Sequence, residues 1–171
     1  MLYTRKGDGG ETGLYGTTER YPKDDPLFDA LGSIDELNSL IGFCRAHEPG
    51  DDASLRAVQE ALFIAQAQLA GADKRITKEH VRALEDAIHT CEASIEKPTS
   101  FVIPGATVRS ARFDYARAVS RRTERAVVHA CAATPSAADL LAYLNRASSF
   151  FYALARQAAQ AEEAKEPKPA Y

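Results

Sequence analysis

A glycine-rich stretch near the start of the chain, YTRKGDGGETGLYG at residues 3–16, combines tight-turn residues with hydrogen-bond donors and cations. Glycine reaches positive φ angles without strain, so the tetrapeptide GDGG (7–10) between LYT and GLY predicts a hairpin. Exposed backbone N–H groups in such turns also form nests that bind anions. The Walker signature G-x-x-x-x-G-K-[ST] is absent, so the stretch is not a P-loop. The hairpin and the anion cradle are compatible, and further donors would come from Thr4, Arg5, Lys6, Thr12 and Lys23.

A second group of cations occurs in ARAVSRRTER, residues 116–125, where arginine is the only basic residue. The planar guanidinium binds a carboxylate or a phosphate with two hydrogen bonds, whereas lysine would serve a solvated face equally well. At 100° per residue, one helical face carries Arg117, Arg121, Glu124 and Arg125. The opposite face is an apolar stripe of Val108, Ala111, Tyr115, Val119, Ala126 and Ala130, into which Arg122 also falls. The pattern indicates a phosphate-binding face or, as the alternative, a solvated charged surface.

Polar residues also occur where apolar ones would be expected. Asp35 and Asn38 lie on the same stripe as Leu27 and Leu31, in a segment that is apolar nearly all round. Such a helix is buried by its neighbours or by another subunit, and a carboxylate there requires a cation or stays protonated. We therefore predict that Asp35 forms a salt bridge, which either only fixes the packing of the helix or belongs to a functional site. Asn145 has both a donor and an acceptor, so it is either structural or able to read a ribose or purine edge.

Five helical segments must position these residues. Asp25 followed by proline is typical of an N-cap with Pro at N1, and the prolines of EKPTSFVIPG (96–105) exclude helix from a link that contains Phe101. The apolar seam of the last helix is Leu140, Leu144, Ala147, Phe151, Leu154 and Ala158, beside a polar flank of Asn145, Ser149, Tyr152 and Arg156. The predicted helices cover residues 26–45, 55–70, 78–94, 107–132 and 134–163. The sequence therefore predicts an all-α five-helix bundle with a short glycine-rich N-terminal hairpin or loop.

The 171-residue chain has the composition of one globular domain, which we assign to residues 1–163, followed by a charged, proline-containing tail (164–171) expected to be disordered. A formal net charge of −3 argues against a general nucleic-acid or anionic-membrane binder. No apolar run is long enough to span a bilayer, and no secretory segment follows residues 1–6. Three scattered cysteines and four histidines without metal-ligand spacing predict free thiols in a reducing cytoplasm and no metal site of the protein's own.

Six motifs, in this order, resemble the PduO-type ATP:cob(I)alamin (corrinoid) adenosyltransferases: YTRKGDGGET, YPKDDP, GSIDELNSLIG, FVIPG, ARAVSRRTER and YLNRAS…FFYALAR. Each motif alone is weak, but six in register cover nearly the whole chain. The resemblance implies a five-helix bundle assembled as a homotrimer, with active sites between adjacent subunits. It implies transfer of the 5′-deoxyadenosyl group of ATP to the cobalt of cob(I)alamin and release of triphosphate, with Mg²⁺ held mainly by the ATP phosphates. A cob(II)alamin reductase and an adenosylcobalamin-dependent enzyme are the implied partners.

The resemblance also implies roles for individual residues. It implies that residues 1–25 are an ATP-binding N-terminal segment. The ATP-binding positions are Thr4, Arg5, Lys6, Gly7, Thr12, Gly13, Lys23, Arg121, Arg122, Thr123, Glu124, Arg125 and Asn145. Asp35 resembles the acid that pairs across the interface with Arg121, and Phe101 resembles the aromatic that displaces the lower cobalt ligand. Asp35, Phe101, Arg121 and Arg125 are thus the expected catalytic residues. The chain departs from the family pattern at Ala106, where glycine is usual, at Phe113-Asp114, where Leu-His is common, and at Ala147-Ser148-Ser149, where Leu-Ser-Asp is common.

The reaction fits this set of residues. Cob(I)alamin is itself a strong nucleophile, so the protein needs no Ser-His pair, and its expected work is positioning and stabilisation of the leaving triphosphate. Two alternatives remain at this stage: a non-catalytic ATP- or corrinoid-binding bundle acting as a chaperone or sensor, and a purely structural bundle.

Overall fold

Five α-helices form the body of the protein, as the sequence predicts. The computed structural model describes residues 2–47, 53–132 and 137–170. Within these ranges the helices are α1 (Pro26–Arg45), α2 (Ala53–Leu69), α3 (Lys78–Ala93), α4 (Val108–Ala130) and α5 (Ala138–Ala161). The predicted start of the last helix at Thr134-Pro135 lies outside the described residues. In the described part of the chain, no helix is both long enough and apolar enough to cross a membrane.

Local capping fixes where the helices begin. The Asp25 carboxylate accepts a hydrogen bond from the Leu27 N–H (2.8 Å), and Pro26 occupies the first helical position of α1. At α4 the Thr107 hydroxyl accepts from the Ser110 N–H (3.0 Å), while the Ser110 hydroxyl accepts from the Thr107 N–H (3.0 Å). These bonds satisfy N–H groups that have no partner within the helix, and α1 starts where the sequence signal at Asp25 places it.

The core lies around α4 and α5, the most extensively packed pair of helices, with α1 against α4 and α3 against α5. The apolar seam predicted for α5 is confirmed, because Leu140, Leu144, Ala147, Phe151 and Ala158 are buried and Leu154 packs against them. The three cysteines, Cys44, Cys91 and Cys131, are buried thiols that form no disulfide among the described residues.

The stripe predicted for α4 is wrong at its N-terminal half, where Val108 and Tyr115 are 72% and 57% exposed. The buried face of α4 instead contains Phe113 and three hydroxyl residues, Ser110, Ser120 and Thr123. Ser120 donates to the Arg117 carbonyl (2.8 Å), and Thr123 donates to the Ser33 carbonyl of α1 (3.0 Å). A hydrogen-bonded hydroxyl is tolerated in a core, which residue polarity alone does not reveal.

The N-terminal hairpin differs in position from the prediction. Its two-residue antiparallel strands are β1 (Glu11–Thr12) and β2 (Tyr21–Pro22), with Glu11 opposite Pro22 and Thr12 opposite Tyr21. The tetrapeptide at 7–10 forms a turn that precedes β1 rather than the connection between the strands, and the Gly10 N–H donates to the Gly7 carbonyl (3.3 Å). The Gly10 carbonyl in turn accepts from the Lys23 N–H (2.9 Å), which extends the pairing beyond β2 and leaves LYT outside the sheet.

The segment after α5 contacts the bundle, so the prediction of a disordered tail is wrong for the residues that make these contacts. The Ile103 N–H donates to the Pro167 carbonyl (2.8 Å), and Glu166 Oε1 lies 3.0 Å from Arg156 Nη1. Composition indicates disorder here because the tail is charged and rich in proline. The buried cation that binds Glu166 belongs to α5, and tail composition carries no information about it.

Candidate active site

The link between α3 and α4 presents Phe101 to the outside of the bundle. The link is fastened at one end by Gln160 of α5, whose amide donates to the Glu96 carbonyl (2.8 Å) and accepts from the Glu96 N–H (2.9 Å). At the other end Thr107 donates to Glu162 (3.1 Å). Phe101 is 78% exposed, so it does not plug the end of the bundle. An aromatic ring held in the open on a fastened link is suited to contact a ligand or another subunit.

The region beside Phe101 contains a cavity of about 450 Å³. We call this cavity the Phe101 cleft. It lies between the link, α3, α4 and α5, and its lining residues are Glu92, Ile95, Lys97, Pro98, Phe101, Arg117, Arg121, Ser148, Ser149, Tyr152 and Ala153. An apolar ring on one wall and two guanidinium groups on another suit a ligand that has both a flat apolar part and anionic groups.

The two arginines of the Phe101 cleft differ in how they are held. Arg117 lies over the Tyr152 ring, with 5.6 Å between its guanidinium carbon and the ring centroid, so a cation–π contact fixes its position. Arg121 is exposed and makes no hydrogen bond or ion pair with any residue that the structure describes. Arg121 is therefore available to a ligand. The sequence reasoning placed Arg117 on the arginine face but not among the site residues, although its spacing of one helical turn from Arg121 was the signal.

Arg122 and Arg125 of α4 line a different cleft, so the arginine face predicted for Arg117, Arg121 and Arg125 is divided between two clefts. Two adjoining cavities of about 590 and 410 Å³ lie between α1 and α4 and share Asp29, Ser33, Glu36 and His129. We call them together the α1–α4 cleft; Lys23 lines its larger part, and Arg122 and Arg125 line its smaller part. Arg122 is paired with Glu36 of α1 (2.5 Å), whereas Arg125 has no ion-pair partner in the described chain. The division arises because α1 and α5 pack on different sides of α4.

Two cations of the N-terminal segment bond to backbone carbonyl groups of the same segment. Lys23 Nζ donates to the Gly7 carbonyl (2.8 Å), and Arg20 donates to the Lys6 carbonyl (2.6 Å) and the Glu11 carbonyl (2.9 Å). A Cβ atom at Gly13 would lie 2.9 Å from the Glu19 carbonyl oxygen, so only glycine fits there without movement of the backbone. Of the predicted ATP-binding residues in this segment, Gly7 and Thr12 are half-buried and Thr4, Arg5, Lys6, Gly13 and Lys23 are exposed.

Two further predicted ATP residues are linked to each other, and a third is not available. Asn145 of α5 donates to Glu124 of α4 (2.9 Å) and accepts from Arg146 (2.8 Å), so its amide is oriented one helical turn before Ser149 of the Phe101 cleft. Thr123, in contrast, is fully buried with its hydroxyl bonded to α1, so the assignment of its side chain to ATP is wrong. Helical periodicity turns Thr123 inward while its neighbours in sequence face outward.

Asp35 completes the predicted set and stands apart from both clefts. It is exposed in the single chain and makes no hydrogen bond or ion pair within the described residues. Its expected partner, Arg121, lines the Phe101 cleft and is equally unpaired. A single chain therefore brings Phe101 and Arg121 together, places Lys23, Arg122 and Arg125 in the α1–α4 cleft, and leaves Asp35 outside both.

The sequence matches proteins of known activity. The family model described as cobalamin adenosyltransferase matches residues 2–158. Corrinoid adenosyltransferase PduO of Salmonella typhimurium is 36% identical over an alignment of 164 residues, which covers 91% of this chain and 48% of that protein. The chain thus spans about half the length of this relative. Corrinoid adenosyltransferase of Bacillus subtilis is 37% identical, and the match covers 91% of this chain and 84% of that protein. Corrinoid adenosyltransferase MMAB of Homo sapiens is 32% identical, and the match covers 94% of this chain and 70% of that protein.

Solved structures agree with the sequence matches. A variant of the PduO-type ATP:corrinoid adenosyltransferase from Lactobacillus reuteri, complexed with cobalamin and ATP, superposes with a TM-score of 0.90 at 28% identity. The match covers 99% of this chain and 96% of that one. A second variant of that enzyme, complexed with ATP, gives a TM-score of 0.89 over 99% of this chain and 100% of that one. On its sequence, its five-helix fold and these matches over nearly the whole chain, this protein belongs to the cobalamin adenosyltransferase family.

Proposed function

We propose that this protein transfers the 5′-deoxyadenosyl group of ATP to the cobalt of cob(I)alamin and releases triphosphate, as an ATP:corrinoid adenosyltransferase. The observation that carries the proposal is the Phe101 cleft, where an exposed aromatic ring faces the unpaired Arg121. The family membership supports the same reaction. Among the relatives, the Lactobacillus reuteri enzyme binds both ATP and cobalamin in one structure.

The reaction is a displacement that the chain's cations are suited to assist. The electron pair of Co(I) forms the new bond to C5′ of ATP, the C5′–O bond breaks, and its electrons leave with triphosphate. Negative charge therefore grows on the leaving group, and arginines aimed at it stabilise the transition state. Arg121 is available for this because it has no partner within the described residues, and Mg²⁺ would accompany the ATP phosphates. Asn145, oriented by Glu124 (2.9 Å), would contact the ribose or the purine.

Phe101 would act on the cobalt before the transfer. An apolar ring against the lower face of the corrin excludes water and the lower axial nitrogen, which leaves Co(II) without its fifth ligand. A Co(II) centre that has lost this donor is easier to reduce to Co(I). The exposure of Phe101 supports this role, because a ring in the core of the bundle could not reach a corrin.

The active site would be completed by a neighbouring subunit in a homotrimer. Asp35 and Arg121 are each exposed and unpaired in the described single chain, which suits a salt bridge formed between copies. The N-terminal segment of one subunit would then cover ATP bound at the arginines of the next. A cob(II)alamin reductase would supply the electron, and an adenosylcobalamin-dependent enzyme would use the product. Cysteines that are not in disulfides suit the reducing cytoplasm as the place of the reaction.

The test is direct. The protein is mixed with ATP, Mg²⁺ and chemically reduced cobalamin in the dark, and the light-sensitive absorption spectrum of the Co–C bond is followed. Formation of the adenosylated product with release of triphosphate is the expected result. Tight binding of ATP without any product would instead support a binding protein with a chaperone or sensor role.

A further inference from the structure

A buried arginine connects α5 to α4 and to the segment that follows α5. The Arg156 side chain is 1% exposed, and its Nη2 donates to Asp114 Oδ2 of α4 (2.7 Å). Its Nη1 lies 3.0 Å from Glu166 Oε1, a carboxylate whose side chain is only 12% exposed. Nη1 is not aligned with Glu166 as a hydrogen bond, so this contact is an ion pair held by charge and burial. Because a buried charge is costly without a partner, the pairs tie Glu166 to the bundle.

The residue next to Glu166 holds the link that carries Phe101. The Pro167 carbonyl accepts a hydrogen bond from the Ile103 N–H (2.8 Å), two residues after Phe101. Phe101 and Ile103 are 78% and 46% exposed, so core packing does not fix this part of the link. The other hydrogen bonds that hold the link are at its two ends. Gln160 of α5 bonds to the backbone of Glu96 at one end, and Thr107 donates to Glu162, just after α5, at the other. In the described chain, the Ile103–Pro167 bond is therefore the hydrogen bond between backbone groups that lies closest to Phe101.

The same arginine also reaches the wall of the Phe101 cleft. The Arg156 guanidinium carbon lies 5.0 Å from the centroid of Tyr152, and Arg117 approaches the same ring at 5.6 Å. Tyr152 lines the cleft together with Phe101 and Arg117. A shift of Arg156 would thus be transmitted both to the link, through Glu166, and to the cleft wall, through Tyr152. Asp114, the other partner of Arg156, is one of the positions where the chain departs from the family pattern.

We propose that Glu166 is a positioning residue for Phe101. It acts through two connections, its ion pair with Arg156 and the adjacent Pro167 carbonyl that holds Ile103, and it does not touch either substrate. The proposal rests on the proposed function only for its effect on catalysis, since the structural connection exists whatever the reaction is. Loss of the Glu166 charge should loosen the link and lower the fraction of time in which Phe101 faces the cleft.

A matched pair of variants tests the proposal. Glu166→Gln preserves the size of the side chain and removes its charge. Glu163→Gln removes the same charge from the same segment, where Glu163 is exposed and makes no contact with Arg156. Ile103→Pro removes the N–H donor and leaves the Arg156 pairs intact, so it provides a second variant if Glu166→Gln lowers the yield of folded protein.

The first measurement needs no activity. Amide hydrogen exchange at Ile103, followed by NMR, should be about tenfold faster in Glu166→Gln than in the unmodified chain, which corresponds to about 1.4 kcal/mol in the local opening equilibrium. Glu163→Gln should exchange at the unmodified rate. Unchanged exchange at Ile103 in Glu166→Gln would overturn the proposal, whether or not the protein proves to be an adenosyltransferase.

The second measurement separates positioning from general loss of structure. Adenosylation that starts from Co(II)alamin with a mild reductant should fall about tenfold in Glu166→Gln and in Ile103→Pro, whereas adenosylation from preformed Co(I)alamin should be largely retained. Equal losses from both starting states would mean that Glu166 is merely structural. Absence of product from both states in the unmodified chain would refute the proposed function and leave the exchange measurement to decide the connection.

Discussion

Replacement of Phe101 by alanine should impair catalysis far more than stability. A phenylalanine buries about 150–250 Å² in a core, but Phe101 is 78% exposed, so only about 40–50 Å² of apolar surface is covered. At about 25 cal/mol per Å², its removal should cost about 1 kcal/mol of unfolding free energy, against about 3–5 kcal/mol for a core phenylalanine. In a chain of this length, about 1 kcal/mol corresponds to a fall of about 2–4 °C in Tm.

The assay follows adenosylcobalamin formation from the two cobalt states in parallel. From Co(II)alamin with a mild reductant, Phe101→Ala should lose more than about tenfold in rate, because the lower ligand is no longer excluded and Co(I) is harder to reach. From preformed Co(I)alamin much of the rate should survive, and the Kd for ATP should barely change because the phosphates bind elsewhere.

Phe63→Ala on α2 is the matched control, since Phe63 is 64% exposed and lies outside the Phe101 cleft. The control should behave as the unmodified chain in both assays. Equal loss of activity from both cobalt states in Phe101→Ala, together with a fall in Tm much larger than that of the control, would refute the reasoning.

Three further predictions concern charged groups. Arg121→Ala or Arg125→Ala should cost about 2–4 kcal/mol in transition-state stabilisation, measured as kcat/KM for ATP, with only partial rescue by lysine; near-normal turnover in both variants would contradict the phosphate role. Sedimentation should give a mass near three times 18.6 kDa, and Asp35→Ala should weaken activity by about 3–5 kcal/mol if its arginine partner is fully desolvated; a stable, fully active monomer would rule out the shared site. Burial raises the pKa of Asp114 above 3.8, although Arg156 opposes the shift. The folded state therefore binds this proton more tightly than the unfolded state, and the unfolding free energy should fall as pH rises from 3.8 through the raised pKa; in Asp114→Asn the unfolding free energy measured in urea should depend less on pH over this range, and an unchanged dependence would count against the prediction.

Much of the fold could be predicted from the sequence because its signals are local. The Asp25 cap with proline after it and the repeat of apolar residues along α5 depend only on neighbours within one or two turns, and the structure begins α1 at Pro26 and buries the α5 seam as these signals predict. The same holds for the extended link, because proline excludes helix whatever the surroundings are. The six motifs also predicted the family correctly, since a family pattern is a property of residue order.

The partners of the polar residues, in contrast, were decided by the tertiary structure. The sequence placed Arg156 on a polar flank of α5, and the fold buries it between Asp114 and Glu166. The physical reason is that a charged side chain can be buried only where an opposite charge from another element meets it, and that meeting depends on how helices pack rather than on periodicity within one helix.

The arginines of α4 illustrate the same limit. Periodicity predicted one cationic face that carries Arg117, Arg121 and Arg125, but α1 and α5 approach α4 from different sides, so Arg117 and Arg121 line the Phe101 cleft while Arg125 lines the α1–α4 cleft. The sequence by itself determined which side chains could bind a phosphate, because the guanidinium group is a property of the residue. Which of them share a cleft was determined only by the packing of the other helices on α4, because the residues that wall each cleft come from distant parts of the chain.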